Sequence, residues 1–432
     1  MKQLSDLTEA MIARALSLGA DTVKASASTS ETREFNVDGG KFSLFRTLFN
    51  RSASITVFKD HKKGSASINR FDEDAIEQLI RDALAAADSA EGDEAWALCE
   101  EPNAYDVTDG VPTPDVERLF DRARELKDTV AADYPKVLIE QMIVDHTGYQ
   151  AVTRTSHGAC FKHTGGNYSV SLMFSAHEGE KASSFMSSDL TTNSLDTPFI
   201  ELADMRNTLA NIEKQIDTVA LGEKFVGTMV LTPDALGEFF GAALSAFASD
   251  ISIINGTSIW KNALGTKVAD ERLTVSSKPR DPRIIDGARA TSEGFMAEDY
   301  HIIENGVLKT FMLSLYAANK TGHRRAPNDS FDMVIEGGDT PYADIIRNIE
   351  KGIIVGRFSG GEPNAKGDFS GIAKNSFLVE NGKITCALRE TMINGNLDEL
   401  FRSIVSISKE TTQNGSSVLP SIAFSGIVIS GK

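Results

Sequence analysis

The chain has 432 residues, enough for two or three domains of ordinary size, each with its own core. Its 44 Lys and Arg stand against 61 Asp and Glu, a net charge of −17, which excludes nucleic acid as an expected partner because phosphate binding needs clustered positive charge. Hydrophobic residues at 41% and charged residues at 24% describe a globular protein, neither disordered nor fibrous.

Leu4, Leu7, Met11, Ile12, Ala15 and Leu16 recur at helical spacing, with Gly19 as the stop. Thr22 to Ala27 and Ser52 to Phe58 read as strands, with Asp38-Gly39-Gly40 as turn chemistry between them. Ile76, Leu79, Ile80, Ala83 and Leu84 form one apolar stripe on a helix from Asp72 to Ala87. Glu91 to Val111 is acidic and interrupted by Gly92, Pro102 and Gly110, the expected composition of a surface connection. Pro112-Thr113-Pro114-Asp115 introduces another helix, which buries Val116, Leu119, Phe120, Ala123, Leu126 and Val130. From Lys136 to Ser187, short β-like runs punctuated by Gly148, Gly158, Gly165-Gly166 and Gly179 predict an antiparallel meander. Leu202, Met205, Leu209, Ile212 and Ile216 make a further amphipathic helix. Leu221-Gly222 after it is the expected boundary, giving an N-terminal helix-and-sheet region at 1–222 and a C-terminal region at 223–432.

In the second region, Gly227 to Thr232 reads as a buried strand, and Pro233-Asp234 starts a helix carrying Leu236, Phe239, Phe240 and Ala243. Glu304-Asn305-Gly306 and Glu380-Asn381-Gly382 each lie between apolar runs. Asn-Gly at the centre of a two-residue loop is a strong hairpin signal, because both positions need positive φ. The C-terminal region is therefore expected to consist mainly of antiparallel β hairpins, ending in a strand at Ile427 to Ile429. The fold class that follows is α+β.

Catalytic motifs are mostly missing. No two glycines are separated by a single residue, so no G-x-G-x-x-G occurs, and neither the Walker phosphate loop nor G-x-S-x-G is present. Ser406-x-x-Lys409 is a chance match in a serine-rich chain. Three cysteines, Cys99, Cys160 and Cys386, do not make a disulfide framework, which suggests a reducing cytoplasm. Asp6 and Glu9 interrupt any secretory apolar core, and the least polar stretch, Ala235 to Ala248, is too short to cross a bilayer and contains Glu238, so no membrane is expected.

Zinc needs three or four converging donors. The best spacing is His157-x-x-Cys160-x-x-His163, yet on a strand Cys160 points opposite to both histidines. His177-Glu178 starts like a zincin motif, but no second histidine follows. Lys320 with His323-Arg324-Arg325 is a basic patch that could bind a carboxylate or phosphate, and Glu362 and Asp368 flank a glycine-rich loop; solvated surface explains both.

The segments Lys351 to Gly361, Gly367-Asp368-Phe369-Ser370-Gly371 and Glu380 to Ile384 together resemble the TldD/PmbA family, named for modulation of DNA gyrase. Gly19-Ala20-Asp21, Lys63 to Ser67, Glu304 to Lys309 and Ile393 to Asn396 extend the resemblance along the whole chain. The family implies two paralogous subunits forming a cytoplasmic metallopeptidase. In TldD-type chains H-E-x-x-x-H lies on the helix after the first strand of the C-terminal domain, and a later cysteine adds a ligand. Here that helix reads Gly237-Glu238-Phe239-Phe240-Gly241-Ala242, and the cysteine region reads Gly415 to Pro420. The chain thus resembles the PmbA (TldE) subunit. The resemblance implies no catalytic or metal-ligating residue on this chain, zinc on a TldD-type partner, and a heterodimer, or a homodimer when isolated, that acts on peptides. The loop holding Ser359, Gly360, Gly361, Asp368 and Phe369 is the expected lining of the substrate cleft. Two alternatives stand beside this reading: a self-sufficient homodimeric metal-dependent hydrolase using His157, Cys160 or His163, and a non-enzymatic peptide-binding regulatory homodimer.

Overall fold

Helix α1 (Lys2–Ser17) buries Leu4, Thr8, Met11 and Ala15 in the computed structural model, which describes residues 1–431. The chain then runs through three antiparallel strands, β1 (Thr22–Asp38), β2 (Lys41–Lys59) and β3 (Lys62–Ile68). Helix α2 (Glu73–Ser89) starts where the Asp72 carboxylate accepts the Ala75 amide, satisfying one of its free N–H groups. Strand β4 (Ala104–Thr108) and helix α3 (Val116–Asp133) precede β5 (Val137–Thr155) and β6 (Cys160–Glu178). A short β7 (Lys181–Ala182), β8 (Met186–Thr192) and helix α4 (Met205–Lys214) complete the first region. The sheet order is β3-β2-β1-β5-β6-β4, with β7 and β8 also paired to β6. Helices α1 and α2 cover Val23, Ala25, Ile55 and Val57 at one end of this sheet, and α3 and α4 cover Phe35, Val37, Val144 and Val170 at the other.

Two expectations are corrected here. Residues 136–187 hold long strands rather than short runs, β5 and β6 being 19 residues each. Gly148 and Gly166 face each other inside the ladder, because the incoming chain crosses the sheet there: a Cβ would lie 2.6 Å from the Pro112 carbonyl oxygen and 2.3 Å from that of Val111, respectively. The acidic segment 91–111 is more than a surface connection. Glu91, Glu94, Glu100 and Glu101 face water, but Ala95, Leu98 and Cys99 are buried, and Trp96 stacks on Tyr316 of the second region at 3.8 Å.

The second region contains β9 (Thr218–Val219), β10 (Phe225–Leu231), the helices α5 (Pro233–Ala248) and α6 (Asp250–Ile254), β11 (Val275–Ser277), β12 (Tyr300–Glu304) and β13 (Val307–Leu308). It continues through α7 (Leu315–Thr321), β14 (Met333–Ile335), α8 (Tyr342–Arg347), β15 (Lys351–Gly360), β16 (Asp368–Glu380), β17 (Lys383–Leu388) and β18 (Thr391–Asn396). Helix α9 (Leu397–Arg402), β19 (Ile404–Gln413) and β20 (Val418–Ser430) end it. The sheet order is β13-β12-β11-β14-β20-β10-β15-β16-β17-β9, with β18 joining β16 and β20, and β19 on β20. Most pairs are antiparallel; β10 with β15, β14 with β20 and β17 with β9 are parallel. With 24% of residues helical and 42% in strands, the protein is α+β. Leu221-Gly222 lies between β9 and β10, both strands of this second sheet.

Both Asn-Gly turns form as expected. Asn305 (φ 49) and Gly306 (φ 76) join β12 to β13, and Asn381 (φ 50) and Gly382 (φ 74) join β16 to β17. Met229, Leu231, Ile353 and Val355 pack against α5 on one face of the sheet, whereas Val230 and Ile354 meet Ile345, Ile346 and Ile349 on the other. Burial of both faces is why these strands read as continuous apolar runs rather than alternating ones. Among the described residues no helix is long and apolar enough to cross a membrane, and the three cysteines are unpaired.

Candidate functional site

Between β8 of the first sheet and the N-terminus of α5 lies a cavity of about 340 Å³. Ser188 and Asp189 face it from β8, Asp234, Gly237 and Glu238 from α5, Gly356 and Arg357 from β15, and Asn414, Ser417 and Leu419 from the β19–β20 hairpin. Local sequence places α5 there. Pro233 occupies the first helical turn, where its missing N–H removes nothing, and Asp234 sits beside the positive end of the helix. Asp234 and Glu238 are the only charged residues of this 16-residue helix, and their i,i+4 spacing puts both on the face opposite the buried Phe240, Ala243 and Phe247. Like charges so placed disfavour the helix by a few tenths of a kcal/mol.

The cavity's electrostatics follow from depth. Asp234 keeps solvent access through the cavity mouth but sits far below the surrounding surface, and burial, then the charges of Asp204 and Asp189, push its carboxyl up to about 6. Burial also raises Glu238, against the opposing charge of Arg357. Arg357 is lowered by burial; its Nη2 donates to Ser184 Oγ at 2.9 Å, its guanidinium lies 4.2 Å from the centre of the Phe185 ring, and its Nε is buried without a partner. Ala203 (φ 50) in the cavity wall and Asp204 (φ 57) are consecutive left-handed residues, a costly backbone held by its surroundings.

A carboxyl raised in the folded state binds more protons there than in the unfolded chain, so stability falls as pH rises from about 4 through about 6 and the loss is complete above that. Asp234→Asn is therefore expected to stabilise the protein at pH 7.5 by ~1 kcal/mol, less than the ~3 kcal/mol an unscreened shift of this size would give, because water enters the cavity. Urea denaturation at pH 7.5 and at pH 4 checks this: the gain should be present at the first and absent at the second.

The structure separates the histidine–cysteine candidates. His157 Nδ1 lies 3.1 Å from the Cys99 carbonyl oxygen, Cys160 opens β6, and His163 Nε2 bonds Asp109 Oδ1 at 2.7 Å beneath Tyr149. His177 Nε2 meets Ser175 Oγ at 2.8 Å. The basic patch is engaged locally: Lys320 pairs with Asp93, and Arg325 lies over the Phe295 ring. Ser359, Gly360 and Gly361 are exposed at the end of β15, beyond the Gly356-Arg357 segment that lines the cavity. Asp368 opens β16, is held low by hydrogen bonds from Asn396 and Asn364, and is exposed. Phe369 is buried against Phe239 and Phe358 as part of the core.

Sequence profiles described as PmbA/TldA metallopeptidase domain 1 and PmbA/TldA metallopeptidase C-terminal domain match residues 23–87 and 226–431. The chain belongs to the PmbA/TldD family. The "Metalloprotease PmbA homolog" of Haemophilus influenzae is 25% identical to it over 430 residues, covering 94% of this chain and 90% of that protein. "Metalloprotease PmbA" of Escherichia coli O157:H7 is 25% identical over 417 residues, 92% and 88% of the two chains. TldE from Thermococcus kodakarensis shares the fold, with a TM-score of 0.86, 20% identity, and coverage of 98% of this chain and 100% of that one.

Zinc chemistry of the PmbA/TldD kind does not fit the residues at this cavity. At the helix positions that the family resemblance assigns to H-E-x-x-x-H, the chain presents Gly237, Glu238 and Ala242, so only one side chain can donate. A Cβ on Gly237 would lie 3.2 Å from Leu419 Cδ1, which shows that an apolar group from the β19–β20 hairpin packs where a ligand side chain would project. Among the described residues, no three His, Cys, Asp or Glu side chains are grouped as a metal requires. Sequence reasoning singled out neither Asp189 nor Arg357, which are brought together by strands far apart in the chain. The i,i+4 acid pair on an otherwise apolar α5 is the signal that identifies Asp234 and Glu238.

Proposed function

We propose that this chain is the PmbA/TldE-type subunit of a cytoplasmic metallopeptidase complex, completing a peptide-binding cleft while a TldD-type partner holds zinc and performs hydrolysis. The observation that carries the reading is the α5 N-terminus: Gly237, Glu238 and Ala242 beneath Leu419 retain a cavity but no ligand set. Family membership supplies the reaction class, and the net charge of −17 supports peptide rather than nucleic acid as what it handles. Free thiols at Cys99, Cys160 and Cys386 agree with a reducing compartment.

The test is zinc content and peptidase activity of this chain, of a TldD-type chain, and of the co-expressed pair. The expected result is no stoichiometric zinc and no peptidase from this chain alone, with activity in the pair. Stoichiometric zinc and hydrolysis from this chain alone would make it a self-sufficient hydrolase and overturn the proposal. Failure to form a complex or to affect the partner's activity would leave the peptide-binding homodimer in its place.

A further inference from the structure

We propose that the outer edge of β2, residues 41–52, pairs antiparallel with the same edge of a second copy of this chain, extending the first sheet across a two-fold axis. This goes beyond the subunit reading, because it concerns copies of this chain with one another and needs no zinc-bearing partner. Strand β3 covers only Ala53 to Lys59 of β2, so among the described residues the outer backbone groups of 41–52 face no strand. A row of unpaired N–H and C=O groups is a template for another chain unless the sequence guards it. Here the guards are weak. The segment holds no proline, glycine or acid. Arg46 turns back to Glu34 of β1 at 3.0 Å, and the Arg51 guanidinium lies 5.7 Å from the centre of the Phe71 ring.

The side chains of the edge are apolar and open. Phe45 is 55% exposed and Phe49 74%. Phe45 is the rim of a ring cluster, its centre 5.5 Å from Phe35, 5.5 Å from Phe42 and 5.6 Å from Phe120. Phe49 lies four residues on and therefore on the same face of the strand. Among the described residues it meets no other ring. The edge thus offers one ring cluster that is incomplete and one ring that has nothing to pack on.

Symmetry joins the two. A two-fold axis that continues an antiparallel sheet runs normal to it, so opposed residues share a face and the register centres on a single residue. Centred on Thr47, the ladder sets Phe45 against Phe49 of the copy, and symmetry repeats the pair on the other side. Arg46 then faces Leu48, and Arg51 faces Ser43. Cross-strand ring pairs are favourable and opposed like charges are not. Other centres do worse. On Arg46, arginine would face arginine and Lys41 would face Arg51; on Leu48, Phe45 would face Arg51 and Phe49 would face Thr47; on Phe45, Phe49 would face Lys41. The aromatic positions of Phe45-Arg46-Thr47-Leu48-Phe49 read the same in both directions, and this self-complementarity commits the edge to a second copy rather than to an unrelated strand.

The experiment is sedimentation equilibrium of the purified full chain from ~1 to ~100 µM. A dimer is expected, and Phe49→Asp should raise its dissociation constant at least ~30-fold. That side chain is largely in water, so the variant folds, which circular dichroism checks. Cysteine cross-linking reads the register. Opposed Cα atoms of an antiparallel ladder lie ~4.5–5.5 Å apart, within disulfide reach, so Thr47→Cys should join two chains on mild oxidation where the unmodified chain does not. Asn50→Cys, ~20 Å from its own copy in this register, should not. A monomer at ~100 µM, a dimer that Phe49→Asp leaves unchanged, or Asn50→Cys linking as readily as Thr47→Cys would each overturn the proposal. If Phe49→Asp weakens only a complex with a TldD-type chain, the edge belongs to that partner: self-pairing is overturned and the subunit role stands.

Discussion

Phe240→Ala is expected to remove about 3–5 kcal/mol of stability. Phe240 has no exposed surface and stacks on Phe401 of α9 with ring centres 4.5 Å apart. It also belongs to the core that joins α5 to Met229, Leu231, Ile353 and Val355 of the sheet. Truncation leaves a void that the surrounding β10, β15 and β20 cannot fill, because their hydrogen-bonded ladders fix their spacing. Against a total stability of about 5–15 kcal/mol for a typical protein, the loss is large. Urea denaturation followed by circular dichroism measures it. A loss under ~1 kcal/mol would show that α5 is anchored elsewhere. The consequence extends to the cavity, since Asp234 and Glu238 are placed by the same helix that this ring holds down.

Legibility from sequence followed the range of the interactions involved. The Asn-Gly hairpins form where expected because their cause lies in two adjacent residues with φ near +50 and +75. The apolar stripes of α2 and α3 were equally local, and their caps at Asp72 and Asp115 are side-chain acceptors for amides three residues on. The reach of β1, β2, β5 and β6 was not legible. Their middles are polar, as in Ser28-Thr29-Ser30-Glu31-Thr32, and what makes them strands is pairing along their whole length with neighbouring strands, over a hundred residues away in the case of β1 with β5. Ser26 meets Thr153 and Thr32 meets Thr147, each at 2.9 Å, contacts that a local pattern cannot contain.

The candidate site divides the same way. Asp234 and Glu238 lie one turn apart on a helix that the sequence identifies, and the missing H-E-x-x-x-H is visible directly in the Gly237 to Ala242 string. Asp189, Arg357 and Leu419 join them only through tertiary structure, from β8, β15 and β20. The loop from Ser359 to Phe369 drew attention for its glycines, yet Phe369 serves the core and Asp368 is held by Asn364 and Asn396. Gly158 and Gly179 mark turns at positive φ, whereas Gly148 and Gly166 mark a chain crossing, and composition does not distinguish these two uses.

A close approach of backbones governs a large effect expected in the first region. Gly64→Ala is expected to destabilise the protein by about 3 kcal/mol. Gly64 lies in β3 opposite Val57 and directly beneath α2. A Cβ there would fall 2.0 Å from the Ala83 carbonyl oxygen and 2.4 Å from the Ala87 amide nitrogen. Both are helix backbone, so no side-chain rotation relieves the clash; α2 itself must lift. Lifting it opens the layer in which Ile76, Leu79, Ile80 and Leu84 pack on Val23, Ala25, Ile55 and Val57. Ala83 and Ala87, both fully buried, show that the helix is fitted to this contact by small residues on its own side as well. Gly92→Ala is the matched control, since the nearest atom to a Cβ there is 3.7 Å away, and its effect should stay within ~0.5 kcal/mol. Urea denaturation of the two variants, with hydrogen exchange in α2, separates local lifting from general loss of stability: fast exchange in α2 alone identifies the contact, and equal stability of the two variants would refute it.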